Sequence, residues 1–266
     1  MSILTTFIKH YRARKALLTQ YADEESVFIY QMGKVGSTSL ENAIPQGIHI
    51  HAFYSKNNTC PIRQAALSKL GIKRFFYILE REIMQYLLRR VFKKRKSTKI
   101  ITIVRDPIAR NMSMFFHDLD AYLFSVHSNF MNTRRAPLPT RSQPKSLLTK
   151  VFNEAFDHDY PLNWFDNEFK PMTNIDVFSK PFKREQGYSL FESDTLSVLL
   201  MSTEKLAQLT PVISDFLGYN VMVSKENSAQ SKWYSDIYSD FKVHYTMPVD
   251  IENRIKSSKY FKHFYQ

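Results

Sequence analysis

Apolar and polar positions alternate along the chain with a period that changes, and each change marks an element. Residues 2 to about 20 carry apolar and basic side chains at helical spacing and predict a basic amphipathic helix. "SVFIYQ", Ser26 to Gln31, reads as a short buried strand, and a helix is expected from Ser37 until Pro45 ends it. "GIHIHAFY" alternates as a second strand. Phe76, Leu79, Ile83, Tyr86 and Leu87 recur at helical spacing, predicting a long helix over about 62–92 with a break near Gly71. "KIITIVRDP" has the continuous apolar run of a strand covered on both faces, and Met112, Phe115, Phe116 and Leu119 form the stripe of the helix after Pro107.

The proline-rich, basic segment "NTRRAPLPTRSQPKS" predicts a surface loop or lid over 126–146. Beyond it, "TLSVLLMS" reads as another buried strand and "TEKLAQLTPVISDFLGY" as a helix ended near Gly218. "SKWYSDIYSDFKVHY" is expected to be helical, followed by a polar tail. No internal repeat is present. The alternation of strands and helices predicts an α/β fold with a mostly parallel central sheet, and 1–266 reads as one domain.

Composition narrows this picture. Apolar residues make up 44% and aromatics 14% of the chain, enough for a real core. Cys60 is the single cysteine, which excludes an intrachain disulfide and suits a reducing compartment. There is no signal-peptide core and no apolar run of the roughly 18 residues needed to span a bilayer, so a cytoplasmic protein is expected. A net charge of +12 selects anionic partners. The densest basic run, "RRVFKKRKSTK", reads either as a solvated helix end and connector or as contact for an acidic polymer or the inner face of a membrane.

Candidate chemistry starts at "YQMGKVGSTSLENAI", a glycine-containing turn between a strand and a helix that suits phosphate. It departs from the nucleotide triphosphatase pattern: Val35 follows Lys34, and Gly36, Ser37, Thr38 and Ser39 come after. Arg105 closes the third strand at the edge where α/β sheets bind ligands, and Ser113 lies off the core stripe of the next helix. Arginine is suited to phosphate because its planar fork makes bidentate, charge-assisted bonds. His49 and His51, two apart on a strand, point to one face and are candidates for a general base, with His117 and Glu41 weaker ones. Packing at a strand end is the competing role for both histidines. Asp157, His158 and Asp159 are adjacent and read as a solvated turn rather than a metal site. Lys183 and Tyr188, in "PFKREQGY", are further residues that could touch a donor or an acceptor.

Lys34 to Ser39 resembles the 5′-phosphosulfate loop of sulfotransferases that use 3′-phosphoadenosine-5′-phosphosulfate, and "VRDPIARNMSMFF" resembles their 3′-phosphate element, with Arg105 and Ser113 in the matching positions. A closer resemblance, over about 26–245, is to the bacterial family of capsular polysaccharide synthesis proteins named for an Asn-Lys-Trp-Tyr-Ser element. Here that element is "SKWYS", Ser231 to Ser235, with serine in place of asparagine. Trp233 and Tyr234 are open to core packing or to contact with the adenosine end. The resemblance implies a P-loop sulfotransferase-like three-layer sandwich and sulfuryl transfer to a carbohydrate hydroxyl of a surface or capsular glycan, free or lipid-linked. Lys34, Val35, Gly36, Ser37, Thr38, Ser39, Arg105, Ser113 and Lys232 would contact the donor, the product would be 3′,5′-ADP, and no metal and no nucleic acid would take part. His-x-His is similar to the catalytic pair of uronosyl 2-O-sulfotransferases. Two other classes stay open: a non-catalytic nucleotide- or polyanion-binding protein of the same fold, and a nucleotide-dependent kinase. Nothing in the sequence sets the oligomeric state.

Overall fold

A computed structural model describes residues 3–36, 38–54, 71–122, 145–223 and 232–266. The predicted lid over 126–146 lies outside them apart from its last two residues, which begin a helix. Ser37, Cys60, Ser231 and the first part of the long helix predicted over 62–92 also lie outside.

The first helix, α1 (Ile3–Ala22), leads into β1 (Val27–Tyr30), α2 (Thr38–Ala43) and β2 (Gly47–Ile50). Next come α3 (Ile72–Lys93), β3 (Thr98–Val104), α4 (Pro107–His117) and α5 (Lys145–Ala155). Helix α6 (Tyr160–Trp164) continues through a π-helical turn, Phe165–Phe169, into a last α-turn, Lys170–Thr173. Strands β4 (Tyr188–Glu192) and β5 (Leu196–Ser202) precede a 3-10 turn (Thr203–Gln208) and α7 (Thr210–Leu217), whose end is set by Gly218 at φ 84°. Helices α8 (Ser235–His244), α9 (Val249–Ser257) and α10 (Lys259–Phe264) close the chain.

The sheet order is β2-β1-β3-β5-β4, with every pairing parallel except the antiparallel edge strand β4. The predicted α/β class with a mostly parallel sheet therefore holds. Central strands β1 and β3 are buried nearly throughout, as their unbroken apolar runs require. In β2 burial alternates, with Ile48 and Ile50 inward and His49 half-buried on the other face. Phe28 packs edge-on against Tyr21 of α1 and Phe92 of α3, and Tyr30 packs against Trp164 and Phe169. A separate aromatic cluster joins Phe115 and Phe116 of α4 to Phe152 of α5 and to Tyr234 and Phe241.

Three expectations change. The end of the chain is not a polar tail: Ile251, Ile255, Tyr260 and Phe264 are buried, and their four-residue spacing within α9 and α10 puts each pair on one helix face. The basic run is not simply solvated. Arg95 is buried, stacks on Phe28 and donates to the carbonyls of Tyr21, Asp23, Glu24 and Ser26 and to Thr98 Oγ1, tying the end of α1 to the start of β3. Arg89 donates to the Phe53 carbonyl at 2.7 Å, and Lys99 to the last turn of α7 at Leu217 O, 2.8 Å. Finally, the stripe that predicts α3 faces outward, with Phe76 62% and Ile83 51% exposed, while Phe92 faces the core.

Candidate functional site

The turn after β1 emerges at the carboxyl edge of the parallel strands, where α/β sheets collect ligands. Its path is fixed from outside. Arg110 Nε donates to Gly33 O at 3.0 Å, Arg105 Nη1 to Lys34 O at 2.8 Å, and Thr203 Oγ1 to Val35 O at 2.6 Å. Three successive carbonyls are thus held by side chains from α4, the end of β3 and the 3-10 turn. In a trans peptide the N–H points opposite to the C=O, so the amides of Lys34, Val35 and Gly36 face the other way. Among the described residues these three N–H groups meet no acceptor. Lys34 at φ 70° and Gly36 at φ 92° give the turn its curl, and a Cβ on Gly36 would lie 3.3 Å from Thr203 Cγ2.

Each tether is itself braced. Arg110 is buried and stacks over the Tyr160 ring at 4.8 Å. The backbone of Arg105 is gripped by Tyr260, whose hydroxyl accepts from Arg105 N–H at 3.1 Å and donates to Arg105 O at 2.9 Å. Asp106 caps α4 by accepting from Ala109 N at 2.8 Å, with Pro107 in the first turn, and Glu204 accepts from Asp106 N–H.

Positive charge gathers at this turn. Partial burial first, then the neighbouring charges of Lys232, Arg105 and Arg110, push the Lys34 ammonium below its ordinary pKa, with Asp118 opposing them. Lys232 comes from "SKWYS", so the C-terminal part of the chain reaches the loop. The two aromatic residues of that element part company: Tyr234 is buried beside Phe116, whereas Trp233 is 51% exposed. Ser113 is half-buried on α4, on the arc that also carries Arg110 and His117. Thr38 and Ser39 open α2, Thr38 exposed and Ser39 buried.

His49 and His51 lie together as predicted, with ring centroids 4.3 Å apart, although β2 ends at Ile50 and His51 stands just beyond it. They differ in role. Gln31 O lies 3.0 Å from His51 Nδ1, which makes Nδ1 the protonated nitrogen and leaves Nε2 as an acceptor. The His51 ring lies beside Gly33, where a Cβ would sit 3.8 Å from His51 Cε1. Its pKa is pushed down by burial and by the charges of Arg110 and Lys34. His49 instead pairs with Glu41 through Nδ1 at 2.9 Å, and burial together with His51 lowers its pKa to about 4 against the opposing pull of Glu41. His117, exposed at the end of α4, is depressed by partial burial and by Lys34 and Lys232.

Sequence reasoning misses the support under His51. Trp164 Nε1 donates to His51 O at 3.1 Å, and buried Glu168, one helical turn on, accepts from Tyr30 OH at 2.6 Å and from the Phe53 amide. The i, i+4 spacing of Trp164 and Glu168 in "NWFDNEF" is the only sequence signal for this brace. The adjacent Asp157, His158 and Asp159 diverge. Asp157 caps the turn into α6, Asp159 pairs with Arg254, and His158, far from solvated, is buried and bonded to Phe152 O. Lys183 and Tyr188 stand in and after the turn before β4.

Residues 142–266, just under half of the chain, match a family model described as "Putative capsular polysaccharide synthesis protein". That is the family similarity. It begins later and ends later than the sequence resemblance suggests, taking in β4, β5, Thr203, Lys232 and Tyr260 and leaving out the Lys34 turn, Arg105 and the histidine pair. No curated protein and no solved structure matches the chain.

Proposed function

We propose that the chain is a sulfotransferase of capsular polysaccharide synthesis, moving a sulfuryl group from 3′-phosphoadenosine-5′-phosphosulfate to a carbohydrate hydroxyl on a P-loop sulfotransferase-like fold. The observation that supports it is the turn itself: three amides turned away from their tethered carbonyls, with the Lys34 ammonium in the positive field of Lys232, Arg105 and Arg110. Such a set suits an anion with several oxygens better than a single carboxylate. The family description supports the polysaccharide setting.

In this reading the amides of Lys34, Val35 and Gly36, with Ser37, Thr38 and Ser39, hold the 5′ phosphosulfate. Arg105, with the rest of its fork beyond the bond to Lys34 O, and Ser113 hold the 3′-phosphate, and Lys232 adds charge from the C-terminal side. The bound donor supplies an electrophilic sulfur. His51 Nε2 takes the proton of the acceptor hydroxyl as its oxygen bonds to sulfur, the bridging S–O bond breaks, and Lys34 stabilises the charge that 3′,5′-ADP carries away. His49, tied to Glu41, supports the His51 ring.

Calorimetry with 3′,5′-ADP, and with ATP plus magnesium, tests the donor. Magnesium-independent binding of 3′,5′-ADP is expected, and preference for ATP would move the chain to kinase chemistry. With donor and a host glycan extract, Lys34→Ala should lower sulfate incorporation by about a hundredfold or more while the melting curve stays in place. Binding without any sulfate transfer to the extract would leave a nucleotide-binding protein.

A further inference from the structure

The outer face of α3 takes no part in the site described above. Ile72, Phe76, Leu79, Ile83 and Tyr86 recur at spacings of four and three, so they form one stripe about 22 Å long. All are exposed, Ile72 to 80%, and Phe75, at 64%, widens the stripe. Monomeric proteins rarely leave so long an apolar stripe open, and one rimmed by charge marks an interaction surface. The helix packs on the protein through its opposite side, where Phe92 is buried against Phe28 and Phe53, and along one flank against α1, where Arg14 pairs with Glu80.

Charge decides what covers it. The stripe runs into Arg90 and Lys93 in the last turn of α3, both exposed, with Lys94 and Lys96 exposed just beyond. The first turn contains no acid. A second copy laid antiparallel would bring Arg90 and Lys93 onto that acid-free turn, and a parallel copy would set Arg90 against Arg90. Neither arrangement neutralises the cations. An anionic bilayer surface does, while its acyl boundary accepts the aromatic and aliphatic side chains of a helix lying in the interface plane. Among the described residues no helix is long and apolar enough to cross a membrane, so α3 would lie on the bilayer rather than span it.

We propose that α3 docks the protein on an anionic lipid bilayer through its exposed Ile72–Tyr86 stripe and the cations at its C-terminal end. The test is co-sedimentation of the full chain with vesicles of equal parts phosphatidylglycerol and phosphatidylcholine, and with phosphatidylcholine alone. Binding to the first is expected, weakening as salt is raised and falling sharply on the second. Phe76→Asp should weaken it on the order of tenfold or more. The pair Arg90→Gln and Lys93→Gln should weaken it roughly twentyfold. Every altered side chain is exposed, and far-ultraviolet circular dichroism checks that each variant folds. No binding to either vesicle, or equal binding by wild type and both variants, overturns the proposal. So does a lipid-free dimer in ultracentrifugation that Phe76→Asp dissociates, since a second copy would then own the face. Because the readout is lipid binding, failure here leaves the sulfuryl-transfer reading untouched.

Discussion

Tyr260→Phe isolates the clamp on Arg105. The ring is wholly buried among Phe165, Phe264 and Tyr265, and phenylalanine fills the same space, so no cavity forms. What goes is one hydroxyl and two bonds, one accepted from Arg105 N–H and one donated to Arg105 O. A neutral bond contributes about 1 kcal/mol net, and more when its partner is left dry. Arg105 is half-buried, so water can reach part of what is exposed, and the loss should be about 2 kcal/mol. For a chain of this size that is roughly 4–8 °C in melting temperature. Burial pushes the Tyr260 phenol well above its ordinary pKa, so the hydroxyl stays protonated and the deficit should be constant from neutral pH to about pH 9. The assay is calorimetric melting at several pH values, beside titration with 3′,5′-ADP. If Arg105 holds the 3′-phosphate, affinity should fall with stability, because the same peptide carries the guanidinium. A melting temperature unchanged within error would refute the clamp. A lower one with unchanged nucleotide affinity would keep the clamp and detach Arg105 from the ligand.

Arg95→Met should cost at least about 3 kcal/mol, since it strands four carbonyls and Thr98 at the junction of α1 and β3; denaturant melts would read it, and a loss below 1 kcal/mol would make the junction peripheral. Acid should destabilise the fold through His49. Its folded pKa of about 4 lies below the unfolded value near 6.5, so the unfolded chain gains a proton first, and stability complete above pH 7 is lost as pH falls toward 4. The loss at pH 4.5 should be on the order of 2–3 kcal/mol, and His49→Gln should flatten the curve; an unaltered curve would remove His49 from the account. His51→Ala should keep 3′,5′-ADP binding yet lower turnover by roughly two to four orders of magnitude, with the acid limb of the wild-type profile below the free histidine pKa because burial first, and then the charges of Arg110 and Lys34, depress it. Turnover lost only in proportion to folded protein would make the histidine structural.

The parts of the fold written in unbroken local pattern were legible. Strands β1, β3 and β5 are short apolar runs, and the turn between Tyr30 and Thr38 announces itself by its glycines and lysine. What escaped depends on contacts between distant segments. In β4 only Phe191 is buried, so the edge strand has almost no hydrophobic signal. Helices α9 and α10 look polar because their inward pairs are diluted by Lys, Glu and Ser. Arg95 reads as one of a basic run until the carbonyls left by the end of α1 are found around it. The stripe on α3 was legible as a helix, but periodicity cannot say which of two apolar faces turns inward. At the site, the loop, Arg105 and the histidine pair came from the sequence. The tethers Arg110, Thr203 and Tyr260 did not, because their partners are 77, 168 and 155 residues away.

Lys34 occupies the left-handed region at φ 70°, a conformation that suits glycine and penalises a side chain. The turn therefore carries strain of about 1 kcal/mol, held in place by bonds that Arg105, Arg110 and Thr203 make to it. Glycine at this position would relax that strain and also remove the ammonium. A search for stabilised variants would then be drawn to the one substitution that empties the turn of its central charge, so thermal selection and selection for activity should pull this position in opposite directions.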